Sequence, residues 1–141
     1  MATVLPKRST KLQSIDLTAM GAGTFTSDEV SIPYGADLVA VQSTFVRAGG
    51  GTTTDVFIQT SLDNGSTWID IMQFALATTT ATRVSAVKSN IALSANTTPS
   101  DGALTDNTIL DGLIGDRLRA KTVVVGTYSG ASSLTLNAII N

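Results

Sequence analysis

A chain of 141 residues, 43% apolar and 14% charged, has room for one domain with a real core and is neither disordered nor densely charged. Its net charge of -2 and isoelectric point near 4.8 give it no electrostatic footprint for wrapping nucleic acid. Cysteine and histidine are both absent, which excludes a disulfide frame, a thiolate or imidazole metal site and a histidine-activated nucleophile, and leaves a carboxylate-only mechanism conceivable.

At the N-terminus, "MATVLPKRSTKLQ" places Pro6, Lys7 and Arg8 where a secretory signal needs its apolar run, and no segment reaches the roughly 18 apolar residues of a membrane span. The expectation is synthesis in the cytoplasm and no membrane partner. Residues 1–10 read as an arm, in which Lys7 and Arg8, with Lys11 just beyond, form a basic cluster suited to an acidic partner surface. Residues 11–141 read as a single domain.

Along that domain, apolar and polar residues alternate with period two, and turn residues separate the runs. The pattern predicts strands at residues 11–18, 28–32, 37–47, 54–61, 67–76, 82–87, 117–128 and 133–140. Many threonines sit beside Val, Ile or Leu, as suits strands whose outer face is neutral and hydroxyl-rich. Three consecutive glycines, Gly49 to Gly51, and the left-handed candidate Gly130 mark turns, while Pro33 should end a strand or lie on an edge. About eight strands with hairpin connections and no long helix predict an all-β antiparallel sandwich of jelly-roll type.

Residues 94–116, "SANTTPSDGALTDNTILDGLIGD", interrupt this rhythm and are longer than an ordinary connection. Leu104, Ile109, Leu110, Leu113 and Ile114 suit packing either on the sandwich or on a neighbouring subunit. Asp101, Asp106, Asp111 and Asp116 recur every five residues, but the spacing matches no EF-hand and Asp-Gly is an ordinary turn pair, so neither a metal nor another cofactor is expected. Arg117, Arg119 and Lys121 share one face of a strand, balanced by Asp55, Asp63 or Asp70 across the sheet.

One motif asks for a decision. Ser61, Asp63, Gly65, Thr67 and Trp68 form the S-x-D-x-G-x-T-W pattern called the Asp-box, which resembles the turn of sialidases and other sugar-handling propellers. The sequence has no second box, and 141 residues cannot supply the blades. The box therefore reads as a structural hairpin corner, and no catalytic residue is assigned. A carboxylate pair such as Asp63 and Asp70 is the residual enzymatic option, and a glycan platform would need Trp68 or Tyr128 exposed. Phe45, Phe57 and Phe74, within strands, read as core.

Two blocks, "DVFIQTSLDNGSTWIDIMQFALATTTATRV" and "LIGDRLRAKTVVVGTYSGASSLTLNAI", together resemble a group of small tailed-bacteriophage and prophage virion proteins over about residues 55–140. The resemblance implies a β-rich, non-enzymatic protein of the virion. It would decorate and stabilise the outside of the capsid as a cement protein, bound to the major capsid protein and to itself as a homotrimer. The basic arm and the apolar residues of the long loop would be its contact surfaces. A neck, tail or fibre position is the alternative within the virion, and a carbohydrate-binding module is the alternative outside it.

Overall fold

The computed structural model describes residues 8–93 and 95–141. Eleven strands and one helical turn follow one another there: β1 (Ser9–Asp16), α1 (Leu17–Met20), β2 (Gly23–Thr26), β3 (Val30–Ser31), β4 (Leu38–Val46), β5 (Gly49–Gly50), β6 (Thr53–Ser61), β7 (Ile69–Leu76), β8 (Ala81–Lys88), β9 (Arg117–Val125), β10 (Tyr128–Ser129) and β11 (Ser133–Ile140). The two main sheets are antiparallel, one ordered β1-β11-β4-β8 and the other β2-β9-β6-β7, with β3 also on β9. Successive long strands mostly change sheet, so the polypeptide winds around a core instead of meandering through one layer. That all-β sandwich is the expected fold class.

Period two decides what each strand buries. In β9, Leu118, Ala120, Thr122 and Val124 are buried and their neighbours are not; in β11 the buried set is Leu134, Leu136 and Ala138. These meet Val39, Val41 and Phe45 from β4 and Val56 and Ile58 from β6 in one hydrophobic cluster between the sheets. β7 departs from the alternation. Its residues from Ile69 to Phe74 are all buried, so something covers its outer face.

Element boundaries differ from the expectation in three places, each with a local cause. The first strand begins at Ser9, which pairs with Ile139, and so takes in Ser9 and Thr10 ahead of its expected start at residue 11. It stops at Asp16 because that carboxylate accepts hydrogen bonds from Thr18 and Ala19 N–H, both at 3.1 Å, and caps α1. The strand expected at residues 28–32 shrinks to the two-residue β3, and β2, which the pattern did not predict, precedes it on the same partner. Where they break, Ser27 N–H donates to the Ala120 carbonyl and the Ser27 hydroxyl accepts from Ala120 N–H, so β9 loses no bond. The strand expected at residues 117–128 ends at Val125, and Tyr128 belongs to a separate two-residue ladder with β5.

Tyr128, which a glycan platform would need exposed, is buried. It is 1% exposed, donates to the Ala77 carbonyl at 2.7 Å, accepts from the Thr54 hydroxyl at 3.0 Å, and meets Phe45 edge-on at 5.9 Å between centroids. Gly51 lies directly against its ring, at φ +76°, so a side chain there meets both a forbidden backbone and the phenol.

Candidate functional site

The Asp-box hairpin joins β6 to β7. The Ser61 hydroxyl donates to Asp63 Oδ1 at 2.9 Å and accepts from Gly65 N–H at 2.8 Å, while Asp63 Oδ1 accepts from Thr67 N–H at 2.7 Å. Asn64 and Gly65 take the left-handed region at φ +57° and +90°. Bonds from Thr67, first its N–H and then its hydroxyl, and from the Ser61 hydroxyl hold the Asp63 carboxyl below its ordinary range. Trp68 is 7% exposed, and the Arg119 guanidinium lies 4.1 Å from its ring centroid. The hydroxyl of Ser61 and the carboxylate of Asp63 are thus engaged inside the hairpin. The box turns the corner and holds a cation over its tryptophan.

The residues after 94 explain the burial of β7. Asp70, fully buried, gathers N–H bonds from Gly102, Ala103 and Leu104 and a hydroxyl bond from Ser100, all between 2.8 and 3.1 Å, and a further bond from the Gln59 amide. Gln73 accepts from Asn107 N–H, and main-chain bonds join Asp70 to Ser100, Gln73 to Thr108 and Leu110 to Ile71. The segment thus runs along the free edge of β7 and covers the outer face of its sheet. It then reaches the other sheet, where Gly112 N–H donates to the Lys88 carbonyl and Lys88 N–H to Asp111. Leu104, Leu110, Leu113 and Ile114 are half-buried, Ile114 against the core cluster, and Ile109 alone of the five is exposed. Of the basic arm, Lys7 lies outside the described residues, while Arg8 and Lys11 are exposed.

Arg117, Arg119 and Lys121 do share one face, but their carboxylate partners are not the expected Asp55, Asp63 and Asp70. Arg117 pairs with Glu29 at 3.5 Å, while Arg119 and Lys121 converge on Asp101 at 3.8 and 3.1 Å. Burial alone would raise the Asp101 carboxyl; the Gln59 hydrogen bond, then Lys121 and Arg119, outweigh it and hold the group below its ordinary range. Asp55 is the opposite case, pushed up by burial and by the Asp106 charge against a weaker bond from Gln73. Among the described residues no cluster of three or more acidic side chains is placed to hold a metal ion.

Among the described residues, the outer face of the other main sheet has no such cover. Register places Asn137 beside Lys11 and Gln42, and Ala40 beside Ile139 and Ala86; Val84, opposite Gln42, is 74% exposed. Ser9, Ala40, Gln42, Val84, Ala86 and Ile139 line a shallow groove there. Lys11 and Asp16 lie on the edge strand β1 and Lys88 at the far end of β8, so the middle of the face holds only methyls, hydroxyls and amides. Alternation in the sequence carried this signal strand by strand, but which strands would lie side by side did not follow from it. No protein family matches this sequence, and no curated protein matches it either.

Proposed function

We propose that this is a non-enzymatic structural protein of a tailed-phage virion. It decorates and stabilises the capsid, with the major capsid protein and further copies of itself, as a homotrimer, for partners. What supports this reading most is the contrast between the two outer faces of the sandwich. One is sealed by the protein's own loop and studded with paired charges; the other is uncharged across its middle and, among the described residues, uncovered. Covering hydroxyls, amides and methyls costs far less desolvation than covering charges. Four strands of about eight residues present on the order of 500 Å² in projection. A standard interface takes about 800 Å² per partner, so the face supplies the centre of a contact whose rim lies on the edge strand and its basic residues. Repetition over a lattice would strengthen a modest single contact.

The winding of the strands, β1-β11-β4-β8 against β2-β9-β6-β7, supports a jelly-roll reading of the sandwich, an architecture used by viral capsid and lectin domains. That bears on fold and not on role. Against a glycan module stands the burial of Trp68 and Tyr128, which leaves exposed Tyr34 without a second ring from that pair. Against a carboxylate hydrolase stands Asp70, whose oxygens are spent on the loop.

Light scattering on the purified protein, followed by sedimentation with empty capsid-like particles, tests the proposal. The expected result is a trimer that pellets with the particles at a stoichiometry set by the lattice. A protein that stays in the supernatant overturns it, and a few copies per particle would move it to the neck or tail.

A further inference from the structure

Three steps in the sequence carry a known chemical weakness: Asn64-Gly65, Asp101-Gly102 and Asp111-Gly112. At such a step the glycine amide nitrogen loses its proton and attacks the carboxamide or carboxyl carbon of the preceding residue. A new N–C bond closes a five-membered succinimide. From asparagine the bond between that carbon and the amide nitrogen breaks and ammonia leaves; from aspartate, water leaves. Water then opens the ring at either carbonyl, giving aspartate or an isoaspartate that carries an extra methylene in the backbone. The reaction needs a nitrogen free to lose its proton and to approach the carbonyl at the right angle.

All three glycine nitrogens are engaged. Gly65 N–H donates to the Ser61 hydroxyl at 2.8 Å, and Gly102 N–H to the two Asp70 oxygens at 2.9 and 2.8 Å. Gly112 N–H donates to the Lys88 carbonyl at 2.9 Å and shares Asp111 Oδ1 at 3.1 Å, and that oxygen is itself held by Lys88 N–H at 2.8 Å. Asn64 is the exposed amide of the set, at the tip of the hairpin, and the more reactive because ammonia leaves an amide more readily than water leaves a carboxylate.

We propose that Asn64 is a latent deamidation site held unreactive by the Ser61 hydroxyl. In this protein the Asp-box is then a chemical lock as well as a corner. Opening it has a structural consequence: the new carboxylate would sit beside Asp63, near Asp116, which accepts from Asn64 N–H at 3.1 Å, and near Glu29, which packs over Gly65. An isoaspartate would lengthen the backbone between Asp63 and Gly65 and pull the nitrogen away from Ser61. The inference is independent of the virion reading, since it concerns the durability of the protein wherever it works.

The test is the rate of deamidation at Asn64 in mildly alkaline buffer, read by peptide mass spectrometry with isoaspartate detection. The folded wild type should react at least about tenfold more slowly than the same protein unfolded in guanidinium chloride, because reaction must wait for local opening. Ser61→Ala, shown to be folded by its Trp68 fluorescence, should lose most of that protection, and Ser61→Thr, which keeps the hydroxyl, should retain it. Equal rates in the folded and unfolded wild type overturn the proposal whether or not the alanine variant folds. A folded Ser61→Ala as slow as wild type overturns the role of the hydroxyl.

Discussion

Trp68 and Arg119 show how much one contact can carry. The ring is the only indole in the sequence, nearly buried, and it lies under a guanidinium that also donates to the Gln59 side chain at 2.8 Å. Trp68→Ala removes the ring's buried area and the cation's seat together, and should lower stability by about 3 kcal/mol or more; urea unfolding followed by circular dichroism measures it. The shifted carboxylates on this side of the sandwich respond to pH with opposite signs. Asp63 and Asp101 have folded pKa values below their unfolded ones, so their contributions are complete above the unfolded value, near 3.9, and are lost as pH falls toward the folded values. Asp55 is raised, so its ionisation opposes folding, and that cost disappears as pH falls through its folded value toward the unfolded one. Asp55→Asn keeps an acceptor for Gln73 without the charge. It should therefore stabilise the protein at neutral pH and flatten the stability profile just above pH 4. Unfolding midpoints measured across that range test it, and a variant with the wild-type slope would show that Asp55 does not set the profile.

At the scale of elements, the long loop works as edge protection. A strand with a free row of N–H and C=O groups invites pairing with other proteins, and β7 would be such a strand if residues 100–110 did not run along it. One buried carboxylate anchors this cover. Asp70→Ala strands the N–H groups of three successive residues and the Ser100 hydroxyl, and should cost about 2–4 kcal/mol. Amide exchange should rise first at residues 100–104, before β4 or β11 exchange at all. Uniform acceleration across both sheets would mean that the loop is not a separable cover. The strands themselves were legible because alternation is local: β4, β6 and β11 lie within a residue or so of their expected bounds. The loop's destination was not, because three of the donors to Asp70, the N–H groups of Gly102, Ala103 and Leu104, are backbone groups more than 30 residues away with no side-chain signature. An acid between Ile69 and Ile71 in an otherwise apolar strand was the available hint, since a buried carboxylate requires donors. For the basic stripe the shared face was legible and the partners were not, because Asp101 arrives on that loop and Glu29 from the gap between β2 and β3.

For the whole molecule, the uneven treatment of the two faces becomes a prediction about binding. If the uncharged middle of the β1-β11-β4-β8 face meets a partner, a single charge at its centre should weaken association without disturbing the fold. Gln42 and Val84 face each other across β4 and β8, and both side chains are exposed, so lysine at either position meets water in the free protein. Stability should move by no more than about 0.5 kcal/mol. In the complex the same ammonium would be stripped of water at the centre of the contact, and the binding loss should reach tenfold or more, about 1.4 kcal/mol. Arg117→Gln on the opposite face is the matched control. It removes a charge and the Glu29 pair from a half-exposed site, where such pairs contribute little. Sedimentation with capsid-like particles should therefore be lost for Gln42→Lys and Val84→Lys and kept for Arg117→Gln. The reverse pattern would transfer the contact to the charged, loop-covered face, where Ile109 and the paired basic residues would become the surface to map next.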